Sequence, residues 1–122
     1  MRGLIIRRQF LDLILSGKKQ WEIRGSRAHY RGQIALIESG SGTVVGHCVL
    51  HDVVGPLTLN DLRANAHRIG FKASDITVKY YQKTYAWVLH DAKRLPRPIP
   101  YSHPPGAVIW VRLPPAIKSK LK

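Results

Sequence analysis

Short apolar runs rich in β-branched and aromatic residues recur along this chain, and they constrain its fold more than any other feature. Each run has the length and composition of a β-strand. The runs, with one further extended stretch, cover residues 4–6, 19–24, 33–38, 43–54, 85–90 and 107–113. Strands therefore outnumber helices and do not alternate with them regularly. This order predicts the α+β class: a small β-barrel or curved sheet of about five to six mostly antiparallel strands with two or three flanking helices, rather than a doubly wound sheet.

Three segments have helical character. Residues 8–16 repeat apolar positions at the helical period. The inward face of this first helix carries Phe10, Leu13 and Ile14. The second segment begins at Thr58, which can cap a helix with Asp61 as its capping-box partner, and it ends at Gly70. Residues 74–81 predict a short third helix, although β-branched side chains in its middle oppose this.

No internal repeat and no linker divides the chain. We therefore expect a single domain over residues 1–115, followed by a basic tail over residues 116–122 that is frayed. A glycine- and serine-rich turn at residues 39–42 joins two strands as a hairpin. Five of the eight prolines fall within residues 96–105, which predicts a stiff, extended loop.

The chain is strongly basic, with 20 Lys and Arg residues against 7 Asp and Glu residues and a formal net charge of +13. The first 61 residues hold 8 basic and 5 acidic groups, and the remaining residues hold 12 and 2. This charge favours an anionic partner, for which RNA is the expected class and DNA the alternative. A membrane surface is disfavoured because no basic amphipathic helix is predicted.

No targeting or membrane-spanning segment is predicted. The N-terminus lacks the apolar stretch of a signal peptide, and no uncharged apolar run approaches the roughly 18 residues of a spanning helix. Cys48 is the only cysteine, so an intramolecular disulfide cannot form. These features predict a soluble protein of the reducing cytoplasm.

The segment between the first helix and the second strand places opposite charges close together. It reads Gly17, Lys18, Lys19, Gln20, Trp21, Glu22, Ile23 and Arg24. In an extended strand Glu22 and Arg24 lie on one face, about 6.6 Å apart along the chain, and can form an ion pair. Lys19 has the opposite parity, but the turn after Gly17 can bring its ammonium to the same cleft. One interpretation is a surface salt bridge. The other is a cleft that binds phosphate through its cations and uses the carboxylate for a base edge or for proton transfer.

The spacing of Gly17, Lys19, Glu22 and Arg24 resembles the G-x-K-x-x-E-x-R signature of ASCH domains, which belong to the PUA-like superfamily. The resemblance is to the small stand-alone prokaryotic members and extends over nearly the whole chain, since the order of predicted elements also matches. It implies a PUA-like β-barrel with flanking helices and a cleft lined by the signature residues. It also implies a role in RNA metabolism, because the relatives of this fold include RNA-binding domains.

The first functional hypothesis is an RNA-binding module without a cofactor. Its basic face holds phosphates, and the cleft of Lys19, Glu22 and Arg24 holds a nucleotide or base. The predicted nucleic-acid-binding residues are Arg7, Arg8, Lys18, Lys19, Trp21, Glu22, Arg24 and Arg27. In this hypothesis Lys19 and Arg24 contact phosphate or a base edge, and Glu22 orients Arg24 or accepts from an exocyclic amine.

The second hypothesis is a hydrolase acting on RNA or a modified nucleoside. Some small bacterial members of the family resemble ribonucleases or amidohydrolases that deacetylate acetylcytidine. The catalytic residues are then Lys19, Glu22 and Arg24, with Glu22 as the general base and the two cations stabilising negative charge. The amidohydrolase type has a threonine nucleophile where this chain has Glu22, and a carboxylate cannot keep that mechanism. A third interpretation is a protein-interaction role through the loop at residues 96–105.

The remaining candidates have simpler interpretations. His47 and His51 on a strand stand roughly 13 Å apart, too far to share one ion, so no metal site is predicted. Cys48 lies on the inward face of its strand and is expected to be a core residue. Trp21 can either stack on a base or pack under the first helix. His103, in the proline-rich loop, is expected to be exposed and solvated, and no cofactor signature occurs.

Overall fold

One curled sheet of six strands organises the chain in the computed structural model, which describes residues 1–121. The strands are β1 (Arg2–Ile6), β2 (Trp21–Arg24), β3 (Gly32–Glu38), β4 (Thr43–Val54), β5 (Tyr85–Pro100) and β6 (Trp110–Arg112). Their order across the sheet is β2-β5-β4-β3-β1-β6, with β1 and β3 parallel and the other neighbours antiparallel. The predicted α+β class and the mostly antiparallel sheet are confirmed, and the sheet forms a half-barrel with β2 and β6 at its edges.

The helices are short and flank this sheet. They are α1 (Arg8–Leu15), α2 (Leu59–Ala64), α3 (Ala66–Ile69) and α4 (Pro115–Ser119). The predicted capping box is present: Asp61 N–H donates to Thr58 Oγ1 at 3.1 Å, and Thr58 N–H donates to the Asp61 carboxylate at 2.8 Å. Gly70 ends α3 in the left-handed conformation, with a φ of 90°. Within residues 1–121 no helix is long and apolar enough to cross a bilayer.

Apolar clusters cover both faces of the sheet. Leu4 and Ile6 of β1 pack with Ile34 and Leu36 of β3 in the larger cluster, whereas Ile5 packs in the second cluster. This division follows the alternation of side chains along a strand. Helix α1 closes the larger cluster with Leu11 and Ile14, which are fully buried. The predicted inward face is thus confirmed for Ile14, and Phe10 packs against the same cluster although it is only half-buried. Leu13 is half-buried, so the prediction of a buried side chain is wrong there.

Bulges in β4 break the simple alternation predicted for residues 43–54. Val44, Cys48 and Leu50 are fully buried, as expected from their even positions. The register with β5 then shifts between Leu50 and Asp52, so Val53 is buried and Val54 is only half-buried. Such bulges bend the strand and increase its twist, which helps the sheet to curl.

The first prolines of the predicted loop lie in a strand. Strand β5 runs through to Pro100, and Ile99 and Pro100 pair with the start of β4. On its other side β5 pairs with β2 only along the residues from Tyr85 to Val88. The prolines thus face an unpaired edge, where their missing N–H groups cost no ladder hydrogen bond. The loop prediction for residues 96–105 is wrong over its first half for this reason.

Two other predicted elements differ from the structure. The third helix, expected over residues 74–81, is reduced to a single 3-10 turn at Ala73–Asp75. Three β-branched residues follow this turn, and their restricted side chains disfavour continuation of a helix. The last strand is also shorter than the expected residues 107–113, since only Trp110–Arg112 pair with β1.

The C-terminal tail is packed rather than frayed. Residues Pro115–Ser119 form α4, and Ile117 and Leu121 are buried in the second apolar cluster beside Val111 and Leu113. The buried side chains of Ile117 and Leu121, four residues apart, pack this segment against the sheet. Two basic residues of the tail, Lys118 and Lys120, are exposed, and Lys122 lies outside the described residues. The domain boundary at residue 115 remains a prediction.

This packing predicts that Ile117→Ala destabilises the fold. Loss of a buried isoleucine side chain should lower the free energy of unfolding by about 2–5 kcal/mol. The matched control Lys118→Ala, on the exposed side of the same helix, should change it by less than about 0.5 kcal/mol. Urea unfolding followed by circular dichroism measures both. Equal, small effects of the two substitutions would mean that the tail is frayed after all.

Candidate functional site

The turn that ends α1 sets the geometry of the candidate site. Gly17 adopts a φ of 82°, a conformation in which glycine is strongly favoured. The backbone N–H groups of Lys18 and Lys19 both donate to the Leu13 carbonyl, at 2.9 and 3.1 Å. The chain therefore folds back before β2 begins. This reversal brings the side chain of Lys19 close to those of β2.

A buried carboxylate, Glu22, interacts with two cations. Arg24 donates through Nε and Nη2 to Oε2 of Glu22, at 3.2 and 2.9 Å. The ammonium Nζ of Lys19 lies 3.6 Å from Oε1 of the same carboxylate. Glu22 is 5% exposed and Lys19 is 3% exposed, so this is not a surface salt bridge. The same-face pairing on the strand, and the return of Lys19 through the turn, are as predicted from parity and spacing.

Arg24 links this ion pair to β1 and β5. Its Nη2 also donates to the Ile5 carbonyl at 3.0 Å. Its guanidinium lies 5.4 Å from the centre of the Trp87 ring, within cation–π distance. Trp87 in turn stacks on Trp110, with ring centres 5.6 Å apart. The Nη1 atom makes no hydrogen bond within residues 1–121 and is not fully enclosed, so it is the donor left for a ligand.

Lys19 is satisfied by internal partners. Its Nζ donates to the Ile69 carbonyl at 3.2 Å. The rings of Phe10 and Phe71 lie 5.6 and 5.9 Å from the same nitrogen. Burial lowers the pKa of Lys19 below its ordinary 10.5, and the neighbouring Glu22 carboxylate opposes this effect. The ammonium therefore serves mainly to hold the carboxylate rather than to reach solvent.

These groups form one wall of a cavity of about 1080 Å³. Its charged lining consists of Arg7, Lys19, Glu22, Arg24, Asp75 and Lys79. Its aromatic lining consists of Phe10, Phe71, Tyr80 and Tyr81. Four cations face two carboxylates, and one of these carboxylates is already paired. The cavity thus combines apolar walls with an excess of positive charge, which suits a ligand that is both planar and anionic.

The sequence model of one protein family, the ASCH domain, matches residues 4–98. The chain belongs to the ASCH domain family. This family has the PUA-like fold, is generally associated with nucleic acids and is proposed to bind RNA. No curated protein matches the chain.

Solved structures share the fold of this ASCH domain. The crystal structure of ASCH from Zymomonas mobilis has 20% sequence identity and a TM-score of 0.71, over 98% of this chain and 92% of that chain. Tyrosine-to-phenylalanine and serine-to-alanine mutants from the same organism are each 23% identical, with TM-scores of 0.69 and 0.68. They cover 98% of this chain and 94% and 92% of theirs. At these identities the similarity establishes the PUA-like fold alone.

Only some of the predicted nucleic-acid-binding residues line the cavity of this ASCH domain. Arg7 lines the cavity together with the three ion-paired side chains. The exposed residues outside its lining are Arg8, Lys18 and Arg27. Arg27 donates to the Gly55 carbonyl at 2.8 Å, which holds its side chain along the surface. The outer cations can therefore act on a ligand only where it extends beyond the cavity.

Trp21 has a packing role in this ASCH domain. It is 9% exposed and packs with Leu57, Leu62 and Ile69 of the segment that includes α2 and α3. The guanidinium of Arg68 covers its ring at 5.6 Å. The expectation that it packs under the first helix is wrong, since α2 and α3 cover it instead. Its buried ring also offers no accessible face for a base.

Sequence reasoning missed the aromatic side of the cavity. Tyr80 and Tyr81 lie in the segment that was expected to be helical, and Phe71 lies just before it. The run Lys79, Tyr80, Tyr81, Gln82 and Lys83 interleaves basic and aromatic residues, a pattern typical of nucleic-acid-binding surfaces. This pattern could have identified the aromatic side of the cavity, but the helix predicted over residues 74–81 favoured a structural interpretation of the segment instead.

The other residues that the sequence analysis considered as functional candidates lie apart from the ion pair. His103 reaches the cavity edge, where its Nδ1 accepts from the Tyr101 hydroxyl at 2.8 Å and its Nε2 donates to the Ala107 carbonyl at 2.9 Å. It is exposed but hydrogen-bonded, not simply solvated. Cys48 is a core residue as predicted, and burial raises the pKa of its thiol to about 12. Among residues 1–121 no three His, Cys, Asp or Glu side chains are placed to hold a metal ion.

The buried ion pair predicts that Glu22→Gln is strongly destabilising. Two cations would lose the charge that compensates them, which should lower the free energy of unfolding by about 3–5 kcal/mol. The matched control is Asp12→Asn, because Asp12 pairs with Arg94 at 3.0 Å while both side chains are about half exposed. That substitution should cost less than about 1 kcal/mol. Urea unfolding measures both, and similar losses for the two variants would contradict this account of the site.

Proposed function

We propose that this ASCH domain binds RNA, with one nucleotide or base in the cavity and the neighbouring phosphates on the basic surface around it. The observation that carries the proposal is the composition of the cavity wall. Arg7 and Arg24 supply donors and positive charge, while aromatic and aliphatic side chains supply the apolar area that a base can cover. The net charge of +13 supports the same partner class. DNA is the alternative with the same backbone chemistry.

The signature residues have different roles in this proposal. Arg24 contacts the phosphate or base edge through Nη1, the atom that has no hydrogen-bond partner among the described residues 1–121. Glu22 is a positioning residue, since it accepts two hydrogen bonds from Arg24 and fixes the plane of the guanidinium. Lys19 supports Glu22 from the opposite side. The exposed cations Arg8, Lys18 and Arg27 add attraction that does not depend on sequence.

The proposal predicts steeply salt-dependent RNA binding that depends on the cavity cation Arg7. Each phosphate contact that is lost should reduce the slope of log Kd against log salt by about 0.7 for a single strand. Arg7→Gln should therefore weaken binding and reduce this slope. The matched control is Arg112→Gln, which removes the same charge from an exposed position outside the cavity. Fluorescence anisotropy with labelled RNA over a salt series measures both.

Two outcomes of this experiment would count against the proposal. Wild-type affinity that stays constant from low to physiological salt would exclude binding through phosphates. Equal losses in Arg7→Gln and Arg112→Gln would show that the charge acts diffusely, with no special role for the cavity.

The second candidate is a hydrolase acting on RNA or a modified nucleoside, with Glu22 as general base. The observation in its favour is a carboxylate flanked by Lys19 and Arg24 in the wall of a cavity. The same two cations oppose it, because they occupy both oxygens of the carboxylate. The binding role is therefore preferred.

Turnover separates the two candidates. A hydrolase predicts RNA cleavage, or release of acetate from acetylcytidine, by the wild-type protein. Glu22→Gln should then lose the activity while the folded fraction, measured by circular dichroism at the assay temperature, still binds RNA. Absence of turnover in the wild type excludes the hydrolase. Turnover that survives in Glu22→Gln rejects Glu22 as the base.

A further inference from the structure

A group of large apolar side chains is exposed at the mouth of the cavity. Tyr80 is 90% exposed, and Phe71, Val78, Tyr81 and Val108 are exposed and line the same cavity. Several large apolar side chains exposed around one cavity favour a binding site there. Tyr80 is the most exposed of these side chains, so it has the largest free aromatic surface.

The backbone that carries Tyr80 is anchored on both sides. On one side, the Ile76 carbonyl accepts from Arg63 Nε at 2.8 Å. On the other, the Tyr81 carbonyl accepts from the Thr84 hydroxyl at 3.1 Å. The Tyr81 ring also packs on Gly25, the residue that follows Arg24, so closely that a Cβ at Gly25 would lie 2.7 Å from the ring. The exposed ring of Tyr80 is therefore presented from a tethered segment beside the ion pair.

We propose that the nucleic acid is single-stranded at this site and that an unpaired base stacks on Tyr80. The inference rests on the RNA-binding function proposed above and specifies its substrate class and a contact residue. A base in a duplex has both faces covered by its neighbours and its pairing edge occupied. Only an unpaired base can present one face to Tyr80 while its edge or phosphate reaches Arg24 within the cavity.

Charge around the aromatic group favours a polyanion over another protein surface. Lys79 and Lys83 flank the two tyrosines in sequence and are exposed. Arg7 and Arg24 line the same cavity. A second copy of this chain would bring its own charge of +13 to this surface, and like charges oppose that association. A single strand supplies both a stacking face and the negative charge.

The test compares three ligands with three variants in fluorescence anisotropy. The ligands are a short labelled oligouridylate, the same strand annealed to its complement, and an abasic oligonucleotide of equal charge. The variants are Tyr80→Ala, Tyr80→Phe and the control Ile109→Ala, which removes an exposed apolar side chain outside the cavity lining. None of the three substitutions changes the net charge.

We expect Tyr80→Ala to weaken binding of the single strand by about 5- to 150-fold, the range that stacking on an aromatic side chain covers. Tyr80→Phe keeps the ring and should retain wild-type affinity, and Ile109→Ala should do the same. The abasic oligonucleotide should bind more weakly and be insensitive to Tyr80→Ala. The duplex should also be insensitive to this substitution.

Several outcomes would overturn the inference. Salt-dependent binding that Tyr80→Ala leaves unchanged, or weakens equally for the single-stranded, duplex and abasic ligands, would reject stacking while the proposed RNA binding stands. Absence of salt-dependent binding to any of these ligands in the wild type would reject both proposals. A wild-type dimer in light scattering that Tyr80→Ala converts to a monomer would show that a second copy covers this surface instead.

Discussion

The Glu22 carboxylate, buried between two cations, is the interaction around which the candidate site is arranged. A carboxylate removed from water is strongly destabilising unless positive charge and hydrogen bonds surround it. Arg24 and Lys19 provide both, from opposite sides. Their remaining contacts reach the end of α3 through the Ile69 carbonyl and β1 through the Ile5 carbonyl. A motif of eight residues thereby fixes the relative positions of elements that are distant in sequence.

The same interaction determines which groups remain for a ligand. Glu22 and Lys19 are satisfied by each other, by Arg24 and by internal partners, so neither is a strong candidate for direct contact. Arg24 uses Nε and Nη2 for its contacts with Glu22 and Ile5, and among residues 1–121 its Nη1 has no hydrogen-bond partner. In the proposed binding role, this single side chain therefore serves both stability and recognition. An acidic residue can thus lie at the centre of the proposed polyanion site.

Local chemistry made part of this arrangement predictable. Strand parity placed Glu22 and Arg24 on one face, the capping box identified the start of α2, and the glycine- and serine-rich turn at residues 39–42 placed the hairpin. The misplaced features depend on long-range pairing. The bulges of β4 are set by its register with β5, and the prolines of β5 are tolerated because its other edge is open. Trp21 was uncertain from sequence, since only the tertiary fold shows that α2 and α3 cover it.

Net charge alone identifies a class of partner but says little about the form of the ligand. Most of the +13 lies in the second half of the chain and acts over the whole surface, which attracts any polyanion and is screened by salt. The cavity adds a different constraint, because its apolar and aromatic lining favours a ligand that has an apolar face as well as negative charge. An anion bound at Nη1 would leave the Nε and Nη2 hydrogen bonds to Glu22 in place, and Lys19 lies against the other carboxylate oxygen. In the proposed binding role, Arg24 can therefore contact a ligand through Nη1 while the buried carboxylate keeps both of its cations.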